Sequence, residues 1–276
     1  GALAPTQRPT RKVWLHSILG ATALLPLIVI FFIADRNWFT DHSFLKAQWR
    51  EAAAYVRLHH EVGEAVVLVS GHAWPVWDYY APDLPAIHLP DLQILDVDAV
   101  LNFQESGAAL RAALQGYNGA WLVNWQDEVV DPTGVVPVQL AWAGREKTFR
   151  SQFWEVNLRR FVELDPNAIP IEPPLAEELD ANFGNQLLLT GYNTTKNDEL
   201  LLFWQLAPGV AAPQTDWQIN LQTETIEGLA YYTAADRRPT DYHYPPARWQ
   251  PGETVMAMIP ALAWAGPAAM PGPYQI

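Results

Sequence analysis

The feature of this sequence that most constrains its fold is an apolar run near the N-terminus, Val13 to Ala34 (VWLHSILGATALLPLIVIFFIA). The run contains no Asp, Glu, Lys or Arg. With a rise of about 1.5 Å per residue, a helix of this length reaches across the roughly 30 Å hydrocarbon layer of a bilayer. Because only a helix satisfies its own backbone hydrogen bonds there, the run predicts one transmembrane helix over residues 13–34, with a tolerable kink at Pro26.

Charges on either side of the run predict its orientation. Residues 1–12 carry three basic residues and no acidic one, whereas the segment after the run opens with Asp35, Arg36 and Asp41. The positive-inside rule then predicts that residues 1–12 are cytoplasmic. The rest of the chain would be an extracytoplasmic head on a single-pass anchor that contacts the lipid bilayer of the cytoplasmic membrane. A cleaved signal peptide is the alternative, but the run is longer than a typical signal sequence and no small-residue cleavage site follows it.

Composition limits the classes of function. The 276 residues carry a formal net charge of −13, which would repel nucleic acid, so no nucleic-acid partner is expected. Cysteine is absent, which excludes disulfides, a thiolate nucleophile and cysteine-ligated metal sites. Hydrophobic residues make up 50% and aromatic residues 12% of the chain, which is typical of a globular protein.

Residues 35–164 alternate between helical and strand patterns. Short apolar runs rich in β-branched residues predict buried strands at residues 65–70 (AVVLVS) and 120–126 (AWLVNWQ), with further strands at 86–90 and 153–164. Segments with helical periodicity lie between these strands. The alternation predicts an α/β layered domain with a mostly parallel sheet.

The C-terminal part has a different composition. Residues 165–174 (DPNAIPIEPP) are rich in proline and predict a stiff linker. Residues 175–276 lose helical periodicity and show short strand-like segments punctuated by Gly and Pro, which predicts an antiparallel β-sandwich domain. The predicted fold class is therefore membrane-anchored α+β: one transmembrane helix, an α/β domain and a β-sandwich. Aromatic residues of the sandwich, Trp204 and Trp249 among them, could form a carbohydrate platform or fill its core.

A cluster of aromatic and polar residues follows the first predicted strand. Open α/β sheets bind ligands at the carboxyl ends of their strands, where this cluster lies. Indole and phenol rings suit sugar rings, and imidazole and carboxylate groups can hydrogen-bond hydroxyls or a phosphate. The candidate ligand-binding residues of this cluster are His72, Trp74, Trp77, Asp78 and Tyr80. The alternative interpretation is that the aromatic residues only pack, in the core or at a membrane surface.

A second candidate group, Trp125, Asp127 and Glu128, follows the strand predicted at 120–126. In a parallel sheet this group would lie at the same edge as the first cluster and join the same ligand site. Adjacent Asp and Glu point in different directions along an extended chain, so spacing alone does not make them a catalytic pair. Asp127 and Asp131 are also suited to capping the helix that follows. The sequence contains no phosphate-binding glycine loop, nucleophile elbow or HExxH motif, so we predict no catalytic residue, metal site or cofactor.

The order of these parts resembles the C-terminal portion of bacterial membrane glycosyltransferases of the GT-C class, which are protein-O-mannosyltransferase-like or dolichyl-phosphate-mannose-dependent-like. The segments that carry the resemblance are a last membrane helix followed by KAQWREAAAYVRLH (46–59), VVLVSGHAWPVWDYY (66–80), AWLVNWQDEVVDPTG (120–134), NFGNQLLLTGYN (182–193) and RWQPGETV (248–255). The resemblance covers nearly the whole chain, but its motifs are mostly scaffold and none is a catalytic signature.

This resemblance implies a polyprenyl-phosphate sugar donor and a catalytic carboxylate on an early extracytoplasmic loop, and no such loop occurs in this sequence. It therefore implies an extracytoplasmic, non-catalytic part of a glycosyltransferase that binds a polyprenyl-phosphate sugar or another carbohydrate, with the catalytic bundle outside the sequence. Two alternatives stay open. One is a single-helix accessory subunit that binds other membrane subunits and has no enzymatic activity, and the other is a carbohydrate-binding surface protein.

Overall fold

The computed structural model describes residues 11–40, 46–213, 217–219, 222–225, 230–233, 239–240, 244–260 and 274–275. The chain divides into two compact units, Gly1–Ala47 and Gln48–Ile276. Most of the predicted N-terminal segment 1–12 lies outside the described residues. Every site discussed below belongs to the second unit.

The first unit contains one long helix, α1 (Arg11–Thr40), which includes Pro26. In the part of the chain that the structure describes, no helix is both long and apolar enough to cross a membrane. This finding contradicts the membrane-anchored fold class and its transmembrane helix at residues 13–34. The helix also differs from the predicted span in its extent, because α1 begins before the apolar run and continues past it through Asp35 and Arg36.

The second unit begins with a five-stranded mixed sheet in the order β2-β1-β3-β5-β4. Its strands are β1 (Glu64–Val69), β2 (Ala86–Leu89), β3 (Gly119–Asn124), β4 (Arg145–Lys147) and β5 (Asn157–Val162). Strand β1 pairs in parallel with both β2 and β3, whereas β5 pairs antiparallel with both β3 and β4. The predicted mostly parallel sheet is therefore wrong. No helix connects β4 to β5, and parallel neighbours need a crossover of a dozen or more residues, so this pair returns antiparallel.

Five helices accompany this sheet: α2 (Trp49–His59), α3 (Trp74–Tyr80), α4 (Phe103–Ala113), α5 (Asp127–Val130) and α6 (Val135–Ala143). Side chains cap two of them. The Asn102 side chain accepts a hydrogen bond from the Glu105 amide at 2.8 Å and so caps α4. The carboxylate of Asp131 accepts from the amides of Val135 at 2.7 Å and Val136 at 3.0 Å, which confirms the predicted capping of α6 by Asp131.

The C-terminal half forms a four-stranded antiparallel sheet in the order β11-β8-β7-β6, together with a small sheet in the order β10-β9-β12. The larger sheet contains β6 (Glu177–Phe183), β7 (Leu187–Thr194), β8 (Leu200–Leu206) and β11 (Val255–Ile259). The smaller one contains β9 (Gln222–Thr225), β10 (Ala230–Thr233) and β12 (Tyr274–Gln275).

Helices α4 and α6 form a layer between the mixed sheet and the four-stranded sheet. One core joins leucines of the two helices to side chains of the mixed sheet: Leu110, Leu140, Val67, Leu122 and Phe161. A second core joins the other sides of the same helices to the four-stranded sheet: Phe103, Val135, Val138, Leu201, Phe203 and Met256. The predicted separate β-sandwich is therefore wrong, because one face of its sheet is buried by helices of the preceding α/β part.

Strand β8 is buried on both faces, which explains this arrangement. Its residues alternate between the core with α4 and α6 and a third core on the opposite face of the sheet. The third core contains Trp204 and Trp249, which are 3% and 2% exposed. Both residues therefore fill the core and do not form a carbohydrate platform.

Candidate functional site

Strands β1 and β3 bring the two predicted groups of site residues to one edge of the mixed sheet. The strands are parallel and in register, with Val69 opposite Asn124 at their carboxyl ends. Backbone hydrogen bonds extend the pairing beyond the strands, from the Trp125 amide to the Val69 carbonyl at 2.8 Å and from the Ser70 amide to the Trp125 carbonyl at 3.3 Å. The expected convergence of the two loops is therefore present in the structure.

The contact that joins the two groups is between His72 and Trp125. Their ring centroids lie 5.6 Å apart, and the ring planes are inclined by 36°. Trp125 also meets Trp49 of α2 edge-on, at a centroid distance of 5.6 Å. The indole of Trp125 thus contacts two neighbouring rings at the sheet edge, which restricts its orientation.

Burial sets the charge of His72. It lowers the pKa of the imidazole, because removing the ring from water disfavours the charged form. The Nδ1 atom is buried and has no hydrogen-bond partner among the described residues. Near pH 7, His72 is therefore a neutral imidazole at the sheet edge, and one of its ring nitrogens has no hydrogen-bond partner among the described residues.

A cleft of about 590 Å³ opens beside Trp125. It is lined by residues 124–128, at the end of β3 and just beyond it, and by residues 151–153 and 155–158, just before β5 and at its start. Of the predicted site residues, Trp125, Asp127 and Glu128 line this cleft. Its volume lies within the roughly 300–1,000 Å³ range of small-ligand sites.

Asn124 and Asp127 are two of the polar residues that line the cleft. The Asn124 amide nitrogen donates to an Asp127 carboxylate oxygen at 2.8 Å. The amide oxygen of Asn124 is buried and has no hydrogen-bond partner among the described residues. Burial raises the pKa of Asp127, although the hydrogen bond from Asn124 opposes that effect. The pair therefore presents an unused acceptor next to a carboxylate.

No member of the first predicted cluster lines the cleft, and His72 only contacts Trp125, which does. Trp77 is fully buried, and its indole N–H donates to the Leu84 carbonyl at 2.7 Å, so it belongs to the core. Asp78 is exposed, and Trp74 and Tyr80 are half-buried on α3. The alternative interpretation, that these aromatic residues pack, describes Trp77 correctly.

Sequence reasoning did not predict the far wall of the cleft, which includes Ser151, Gln152 and Asn157. These residues lie beside β3 because β5 runs antiparallel to it, with Asn157 opposite Asn124. No residue pattern in this segment gives the direction of β5. The polar residues before β5 are typical of a ligand-site wall, but they are equally typical of an ordinary surface loop.

No cation lines the cleft in the part of the chain that the structure describes, whereas Asp127, Glu128 and Glu155 do. The described residues also contain no group of three or more His, Cys, Asp or Glu side chains that could hold a metal ion. The cleft therefore combines one oriented indole, amide groups and carboxylates. This set can hydrogen-bond hydroxyl groups and would repel a phosphate.

Comparison with known proteins gave no matching family model, no matching curated protein and no matching solved structure.

Proposed function

We propose that the unit Gln48–Ile276 is a carbohydrate-binding, non-catalytic part of a glycosyltransferase, and that the cleft beside Trp125 holds the sugar. The observation that carries this proposal is the placement of the Trp125 indole, in ring contact with His72 and Trp49, next to amide and carboxylate groups. An aromatic face packs against the apolar C–H face of a sugar ring, and the amide and carboxylate oxygens accept hydrogen bonds from its hydroxyl groups.

Unused polar atoms at this edge support a ligand rich in hydroxyl groups. The Asn124 amide oxygen and the His72 Nδ1 atom are both buried without a partner among the described residues. Buried polar atoms are normally hydrogen-bonded, and leaving one unpaired costs about 1–3 kcal/mol. Of these two residues only Asn124 lines the cleft, and a ligand hydroxyl group that reaches its amide oxygen would recover part of that cost.

The charge of the cleft indicates which part of a glycosyl-transfer substrate it takes. Three carboxylates and no cation line it within the described residues. A sugar or a glycan acceptor without charge would enter without electrostatic cost, whereas the phosphate of a polyprenyl-phosphate donor would be repelled. The proposal is therefore a site for a neutral carbohydrate, with the donor phosphate bound elsewhere in the enzyme.

The test is a screen of the full chain on an array of neutral glycans, followed by titration of the best binder. We expect saturable binding of a neutral glycan and at least tenfold weaker binding of the matching sugar phosphate. The absence of any neutral-glycan binding, or tighter binding of the sugar phosphate, would contradict the proposal.

A further inference from the structure

A second cavity, which we call the α6 groove, lies on another side of the unit. It has a volume of about 390 Å³ and is bounded by α6, by the edge formed by β4 and β5, and by the turn between β7 and β8. Its apolar lining consists of Pro137, Val138, Ala141 and Trp142 of α6 and Met258 of β11. The groove shares no lining residue with the cleft beside Trp125.

Two arginines that line the α6 groove are already neutralised. Arg145 forms a two-pronged ion pair with Glu163, in which the shorter N–O distance is 2.6 Å. Arg159 forms the same type of pair with Glu146, with both N–O distances at 2.7 Å. Their hydrogen-bonding groups are therefore engaged within the protein, and neither guanidinium is the first contact for an incoming charge.

The turn between β7 and β8 brings one more cation and one more carboxylate to the groove, Lys196 and Glu199. Among the described residues, Lys196 has no carboxylate partner, and Glu199 has no cation partner. Both side chains therefore retain an unneutralised charge at the mouth of an apolar groove.

Hydrogen bonds within the turn hold Glu199 in place. The Thr195 amide donates to the Glu199 carbonyl at 2.9 Å, and the Thr195 hydroxyl accepts from the amides of Asn197 and Glu199, both at 3.2 Å. The same hydroxyl donates to the Glu199 carboxylate at 3.0 Å. The carboxylate therefore has a defined position, although one of its oxygens is still available to another donor.

We propose that the α6 groove binds a small zwitterion with an apolar body, of the chemical class of free aromatic α-amino acids. The carboxylate of the ligand would pair with Lys196, its ammonium group would pair with Glu199, and its ring would pack on Trp142 and Met258. A ligand with one charge satisfies only one of the two side chains, and an uncharged ligand satisfies neither. The volume of the groove suits a ligand of this size.

Three matched probes test this assignment by calorimetric titration of the full chain: L-phenylalanine, N-acetyl-L-phenylalanine, which lacks the positive charge, and L-phenylalanine amide, which lacks the negative charge. We expect saturable binding of L-phenylalanine, and about threefold weaker binding of each singly charged probe, as for solvent-accessible ion pairs. No binding of L-phenylalanine, or equal binding of all three probes, would overturn the proposal.

Variants then assign the two charges. Lys196→Met is expected to weaken binding of L-phenylalanine about threefold without affecting L-phenylalanine amide, and Glu199→Gln to weaken L-phenylalanine without affecting the N-acetyl probe. Lys147→Met, at an exposed lysine outside the groove, is the matched control and should change nothing. A uniform loss across the three probes would mean that these variants act through the fold, and it would contradict the assignment.

The apolar lining of the α6 groove is tested separately with Trp142→Ala, which should weaken the binding of all three probes about tenfold. Met258→Ala provides the same test at a residue that is already 38% exposed, where a folding defect is not expected. Unchanged binding in a folded Met258→Ala variant, together with unchanged binding in Trp142→Ala, would contradict the placement of the ring. Glycan binding at the cleft beside Trp125 is measured in parallel and should be unaffected, so the two sites succeed or fail independently.

Discussion

The imidazole of His72 lies against the indole of Trp125, with the ring centroids 5.6 Å apart. One ring follows β1 and the other follows β3, so the contact depends on the parallel register of these two strands. The indole that faces the cleft is therefore oriented by the sheet and by a neutral histidine, and its neighbours Asn124 and Asp127 supply the polar groups of the site.

We predict that His72 makes the protein less stable in mild acid. Burial lowers the pKa of His72 in the folded state, whereas in the unfolded chain it titrates near its ordinary value of about 6.5. Because the unfolded state then binds more protons, the free energy of unfolding falls as the pH drops below about 6.5 toward the folded pKa. Urea denaturation from pH 7.5 to 5 should show a steeper loss for the wild type than for His72→Gln. Parallel profiles would show that His72 is not shielded from water.

The ion pair between Glu64 and Arg160 is expected to be essential for stability. Both side chains are buried, and the Glu64 carboxylate accepts from the Arg160 guanidinium at 2.7 Å and from the Trp121 indole at 2.9 Å. Glu64→Ala removes the buried carboxylate and leaves the guanidinium only its ion pair with the exposed Glu61, at an N–O distance of 2.7 Å. We therefore expect a loss of about 3 kcal/mol in the free energy of unfolding, at the low end of the range for breaking a buried pair. Glu163→Ala, which breaks an exposed pair with Arg145, is the control and should have little effect. Similar losses for both variants in chemical denaturation would contradict the prediction.

Asp131 should make stability depend on pH in the opposite direction. Burial raises the pKa of Asp131 to about 7, although the amides that it caps oppose that effect. Because the unfolded pKa is about 3.9, the folded state binds the additional proton between these values, and stability is lost as the pH rises through that window. Relative to Asp131→Asn, which does not titrate, the wild type should lose up to about 4 kcal/mol between pH 4 and 7. A constant difference between the two proteins would contradict the raised pKa.

Gly107 permits the close approach of α4 to the proline-rich segment 165–174. A Cβ atom at this position would lie 2.4 Å from the Pro170 carbonyl oxygen and 2.8 Å from the Gln139 amide nitrogen. We therefore expect Gly107→Ala to lower the free energy of unfolding by about 1–3 kcal/mol through overpacking. Ala108→Leu adds a larger side chain at an exposed position of the same helix and should change stability by less than about 0.5 kcal/mol. If the two variants are equally stable, segment 165–174 does not pack against α4 in solution.

Part of this fold could be predicted from the residue pattern. The apolar run at 65–70 corresponds to β1 and the run at 120–126 to β3, because continuous β-branched runs are typical of strands buried on both faces. Their parallel pairing followed from the intervening helical segments, and it brought His72 and Trp125 to one edge as expected. Asp131 was recognised because a carboxylate just before a helix is suited to binding its free amides.

Other features are not encoded in local patterns. The alternation of apolar and polar side chains in β5 does not predict whether the strand runs parallel or antiparallel to β3. Because it runs antiparallel, residues within 151–158 form a wall of the cleft. The sequence of α6, VVPVQLAWA, is apolar on nearly every side, and this pattern predicts a helix that is buried all round, as α6 is between the two sheets. Residue type alone did not predict the role of Trp77, which fills the core. A tryptophan that packs in the core and a tryptophan that binds a ligand cannot be told apart by residue type.

The central claim, that the cleft beside Trp125 binds a neutral carbohydrate, is tested most directly by one pair of variants. The affinity of the full chain for the glycan selected by the array is measured calorimetrically for the wild type, Trp125→Ala and Tyr79→Ala, the last at an aromatic residue that is 77% exposed on α3 and outside the cleft. We predict that Trp125→Ala weakens binding about tenfold, because a stacked aromatic face contributes about 0.5–1.5 kcal/mol beyond the area it buries, while Tyr79→Ala binds like the wild type. Unchanged affinity in a folded Trp125→Ala variant, or an equal loss in both variants, would contradict the claim.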